Sequence, residues 1–144
     1  MMAEARKGCP DDTFVQNVLF PRLEARLQTR HGKGTEAVQT LSIAQQYENG
    51  TYFETHIVRG DAYLAARSPD DAAAEFRKYL DRRANAPFTS DYAVAQLGLA
   101  RALAAQHDTA NARAAYQDLF AMWKDADPDA PILNDAKAGY AKLQ

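Results

Sequence analysis

Three alanines, Ala37, Ala72 and Ala112, each stand four positions before a bulky apolar residue, respectively Leu41, Phe76 and Tyr116. Twelve positions before each alanine is another small residue, Ala25, Gly60 or Ala100, followed three positions later by Gln28, Tyr63 or Leu103. Steps of three and four residues place side chains on one helix face. A short side chain on that face lets a second helix approach closely, so small-then-large spacing marks paired helices that interlock. The alanines recur at intervals of 35 and then 40 residues, room for one helix hairpin each. A hairpin cannot bury its apolar face alone, so the pattern predicts hairpins that stack, each supplying a wall to the next.

Composition points the same way. Alanine, the strongest helix former, accounts for 29 of 144 residues and is concentrated after Gly60. With 47% apolar and 25% charged residues the chain is globular, and its length suits one domain that needs no metal or disulfide to fold. The expected class is all-α.

Punctuation along the chain sets the boundaries. Asp11 or Asp12 caps a first helix reaching about Arg30, with a kink expected at Pro21. After His31-Gly32-Lys33-Gly34, Thr35 is the expected cap of a second helix ending at Tyr47. Glu48-Asn49-Gly50-Thr51 reads as a turn, and a third helix follows from about Tyr52 to Arg67. Ser68-Pro69-Asp70-Asp71 opens a fourth running to about Arg83, and the loop Ala84 to Thr89 takes up the longer interval. Ser90 or Asp91 begins a fifth, to about Gln106. Asp108 caps a sixth, in which Ala112, Ala115, Tyr116, Leu119, Phe120 and Trp123 form one apolar stripe. Pro131 opens the last, with Leu133, Ala136, Tyr140 and Leu143 on one face. The expected organisation is an N-terminal extension, 1–10, and a repeat domain, 11–144. Its units are roughly 11–47, 52–83 and 90–124, closed by a capping helix at 131–143.

These residues resemble the tetratricopeptide repeat family, whose period is about 34 residues. Gly60, Tyr63, Ala72 and Phe76 fit its Gly, Tyr, Ala and Phe positions, while Arg59 replaces its usual Leu; the third unit offers Leu99, Ala100, Leu103, Ala112 and Tyr116. A narrower similarity covers nearly the whole chain. It is clearest in Leu99-Ala100-Arg101-Ala102-Leu103, Ala112 to Asp118, Trp123 to Asp129, Pro131-Ile132-Leu133 and Ala136-Lys137, with Val58 to Ala66 alongside. These look like the C-terminal repeat region of multidomain bacterial serine/threonine protein kinases. The resemblance implies a tetratricopeptide-like stack of about three helix hairpins with a C-terminal capping helix, binding a protein or peptide on its concave face. It also implies a regulatory piece without catalysis of its own, since the sequence has no Gly-rich phosphate loop, His-Arg-Asp or Asp-Phe-Gly.

The residues expected to hold a partner are Arg22, Arg26 and Arg30, at i, i+4 and i+8 on one face of the first helix, with Arg101 at the comparable place in the third unit. Glu54 and Asp61 introduce opposite charge in the second unit. Together they depart from the Lys and Asn clamp that some family members use for a peptide C-terminus. A solvated face with local ion pairs is the competing account. Two further function classes stand beside a binding module: a small all-helical enzyme with a site between hairpins, and an RNA-binding helical repeat. The formal net charge of -2 provides no global basic field for nucleic acid.

Other motifs read as structure. Arg59-Gly60-Asp61 falls within a helix, Asn49-Gly50-Thr51 in a turn, and Asp125, Asp127 and Asp129 lack the Gly and final Glu of a calcium loop. His31, His56 and His107 form no metal-ligand pair, Ser42, Ser68 and Ser90 no nucleophile elbow, and Cys9 has no partner cysteine. No metal or cofactor is expected. No apolar run is long enough to span a membrane, so the reading is cytoplasmic, or extracytoplasmic if a span lies upstream.

Overall fold

Every regular element is helical among the residues described by the computed structural model, 8–48, 53–82 and 90–143. The expected turn at Asn49-Gly50-Thr51, the helix start at Tyr52, the end at Arg83 and the loop Ala84 to Thr89 lie outside these residues. The chain divides into two compact units, Met1–Ser68 and Pro69–Gln144, and the division falls inside the expected unit 52–83.

In the first unit Asp12 is the capping residue of the two candidates, its Oδ1 accepting from the Val15 amide at 2.9 Å. The helix passes through a π turn, Val15–Leu19, into α1, Phe20–Arg30. The kink expected at Pro21 has its counterpart in that wider turn. Proline withdraws the amide that the carbonyl four residues earlier would use, and the Phe20 amide already reaches back five residues to Val15. Helix α2, Gly34–Thr40, continues as a 3-10 segment, Leu41–Tyr47, and α3 spans Thr55–Ala65. Thr35 is not the cap of α2: the helix begins two residues earlier than that cap would set, at Gly34 after Lys33, without a side-chain cap. Close packing explains the earlier start, because buried Gly34 rests on the end of α3. A methyl group there would strike the Ala66 amide and lie 2.6 Å from the Ala62 carbonyl oxygen. Ala25, Ala37, Leu41, Val58 and Ala62 form this unit's core.

The second unit contains α4, Pro69–Leu80; α5, Ser90–Ala105; α6, Thr109–Met122; and α7, Pro131–Ala141. Helix α5 is central, packing on α4 and on α6, while α7 leans on both α5 and α6. The stripe expected on α6 is the core: Ala112, Ala115, Tyr116 and Leu119 are buried with Leu97, Ala100, Leu103 and Ala136, and Phe120 and Trp123 pack against them. Gly98 is a point of close approach, where a methyl group would strike the fully buried Phe76 ring. Asp108 caps α6 as expected, accepting from the Asn111 amide at 3.2 Å. The Asn111 side chain and amide hold its carboxyl below the ordinary aspartate range.

One turn recurs three times. The amides of Lys33, Ser68 and Asp108 donate to the carbonyls of Gln28, Tyr63 and Leu103 at 2.9, 2.9 and 3.0 Å. The residue before each donor, Gly32, Arg67 and His107, is left-handed, with φ of 73, 59 and 62°. This is the Schellman ending of a helix, which favours glycine because a Cβ crowds the backbone there. Arg67 and His107 are exposed, so that strain is not offset by burial. Replacing His107 with Gly is expected to raise the unfolding free energy by about 0.5 to 1 kcal/mol. Arg67→Gly should do the same. Urea midpoints that fall in both variants would show that the side chains outweigh the backbone strain.

Candidate functional site

The helix formed by the π turn and α1 buries one side and leaves the other open. Val18, Phe20, Pro21 and Ala25 are buried, whereas Leu19, Leu23 and Leu27, at i, i+4 and i+8, are 36, 41 and 46% exposed. Four-residue steps make this a row about 12 Å long. Arg26 and Arg30 are exposed on the same face, one turn apart, and neither has an ion pair or hydrogen bond among the described residues. The face is thus apolar along one line and cationic along the next.

Arg22 lies at the edge of this face, half-buried. Its Nη1 is 3.7 Å from Oε2 of Glu54, the residue that leads into α3. Of the six candidates named from sequence, Arg22 and Glu54 are therefore brought together as an ion pair, Arg26 and Arg30 project outward, and Asp61 is exposed on α3. Arg101 belongs to the second unit, on α5, with Nη2 3.1 Å from Asp135 Oδ2 on α7. Arg22, Glu54 and Arg101 thus each take part in a local ion pair.

Sequence reasoning missed the leucine row. Its signal was present, since the leucines share the arginines' spacing, but apolar residues at helical steps are ordinarily assigned to a core.

A second feature it missed is internal. Arg59, 3% exposed, reaches both carboxylate oxygens of Glu48, with Nη1 to Oε2 at 3.0 Å, and Nη2 also donates to the Leu41 carbonyl at 3.3 Å. His56 Nδ1 is 3.8 Å from Glu48 Oε2. The Arg59-Gly60-Asp61 tripeptide is accordingly inaccessible at its first two residues. Asp127 Oδ1 accepts from the Asp129 amide at 2.9 Å, which is turn chemistry, and Cys9 is exposed. Among the described residues no group of three His, Cys, Asp or Glu side chains is placed to hold a metal ion. No described helix is long and apolar enough to cross a membrane.

Comparison with known proteins finds no family model that matches this chain, and no significant match among curated proteins or solved structures.

Proposed function

We propose that this chain is a non-catalytic, tetratricopeptide-like protein-binding module that docks an acidic amphipathic helix of a partner protein along the outward face of α1. The observation that carries the reading is the exposed Leu19, Leu23 and Leu27 row beside Arg26 and Arg30. A partner helix with leucines along one line and glutamates along the next would cover the apolar row while its carboxylates meet the guanidinium groups. The repeat part of the reading is supported by the Schellman turns at Gly32, Arg67 and His107. Their spacing is that of Ala37, Ala72 and Ala112, so the same local geometry follows the same small-and-large pattern. The sequence resemblance to kinase repeat regions suggests such a module downstream of a kinase domain as its context, and a reading frame continuing upstream into one is the check on that context.

The test is a fluorescence-anisotropy titration with a labelled helical peptide bearing one leucine row and one glutamate row. Its twin carries lysine in place of glutamate. The acidic peptide is expected to bind, and the Arg26→Glu, Arg30→Glu double variant to weaken it about tenfold or more without lowering the melting temperature, since both side chains are exposed. Equal binding of the lysine twin, or tighter binding to single-stranded RNA that collapses with added salt, would remove this reading.

A further inference from the structure

A pocket of about 420 Å³ opens between α5, α6 and α7. The exposed side chains of Arg101, Asp135 and Lys142 stand around it, Ala104 and Leu143 give it an apolar side, and Tyr116 and Gly139 form its floor. Tyr116 is 1% exposed, yet its hydroxyl has no hydrogen-bond partner among the described residues. The ring is fixed by edge-on packing against Tyr140, with centroids 6.1 Å apart. Gly139 makes room for its polar end: a methyl group at that position would strike the hydroxyl and lie 2.8 Å from Cζ. With no protein partner among the described residues, the hydroxyl can donate to an acceptor that enters the pocket in place of water. Burial also holds the hydroxyl above its ordinary pKa, which keeps it protonated and able to donate.

Charge narrows what fits. Arg101 and Lys142 contribute two positive charges and Asp135 one negative, which leaves a surplus suited to a monoanion. A phosphate dianion would meet the Asp135 carboxylate. Among the described residues Arg101 gives Asp135 its Nη2 contact and makes no other side-chain hydrogen bond, so the rest of its guanidinium fork can donate to a second carboxylate. The geometry points to a binding site for small monocarboxylates with an apolar body. The carboxylate accepts from Arg101 and the Tyr116 hydroxyl, Lys142 adds charge, and the tail lies on Ala104 and Leu143. The site lies wholly within the second unit, so it stands or falls separately from the α1 reading.

Hexanoate titrated into the ¹⁵N-labelled full chain tests this, with hexanamide and inorganic phosphate as comparison probes. Saturable shifts of the Gly139 amide and the Arg101 side-chain NH are expected. Binding should weaken about tenfold for hexanamide and for Arg101→Gln, and several-fold for Tyr116→Phe. Tyr116→Phe should meanwhile melt close to the parent, because the ring and its edge-on packing against Tyr140 are kept. No saturable shift with hexanoate, equal binding of hexanamide, tighter binding of phosphate, or undiminished affinity in both variants would each overturn the assignment.

Discussion

Replacing Glu48 with Ala is expected to lower the unfolding free energy by about 3 to 5 kcal/mol, a large share of the 5 to 15 kcal/mol typical of a folded domain. The reason is Arg59, which is 3% exposed and directs two guanidinium nitrogens at the Glu48 carboxylate. Removing the carboxylate leaves a guanidinium cut off from water, with the Leu41 carbonyl as a weaker neutral acceptor. The ion pair itself contributes little net stability, because two charges had to be taken out of water to form it. A double variant, Glu48→Ala with Arg59→Leu, should therefore recover most of the loss. Urea unfolding followed by circular dichroism reads both, and Trp123 fluorescence reports separately on the second unit. A single-variant loss below about 1 kcal/mol would mean that water reaches the pair.

Gly34→Ala sets two effects of opposite sign against each other. Helix propensity alone favours the substitution by about 1 kcal/mol, since Gly34 is the first residue of α2. Packing opposes it. The new methyl group would meet the Ala66 amide, the Ala62 carbonyl oxygen and the Ala65 carbonyl carbon, all of them backbone atoms at the end of α3. Backbone within a helix end cannot turn aside as a flexible side chain can, so α2 must shift, and overpacking of this kind costs about 1 to 3 kcal/mol or more. The expected net result is destabilisation by about 2 kcal/mol, seen as a lower urea midpoint. A rise in the midpoint would show that α2 moves without penalty.

These variants also mark where the sequence was hard to read. The crossing positions were assigned to Gly60 and Ala100 because they keep the repeat's phase. Both are buried, and glycines outside that phase, Gly34, Gly98 and Gly139, are further places where a neighbour leaves no room for a methyl group. Close approach depends on where another helix lands, which periodicity along one helix does not specify. The Glu48 and Arg59 pair was invisible for a related reason. Arg59 stood out as a replacement for leucine and as the head of Arg59-Gly60-Asp61, neither of which points to Glu48, eleven residues away. The arginines of α1 were legible from spacing alone, whereas their separation into Arg22, paired, and Arg26 and Arg30, without a partner among the described residues, depends on Glu54 reaching α1 from the start of α3.

What the sequence determined by itself is local. Helical steps of three and four residues, a cap at Asp11 or Asp12 and one at Asp108, Pro69 and Pro131 at helix starts and the apolar stripe of α6 all follow from interactions within a few residues of one another. Tertiary structure alone decided which side of α1 lost its water, which carboxylate took Arg59, and which hydroxyl was left facing a pocket. Those outcomes turn on burial and on contacts between distant residues, and neither quantity exists until the helices have packed.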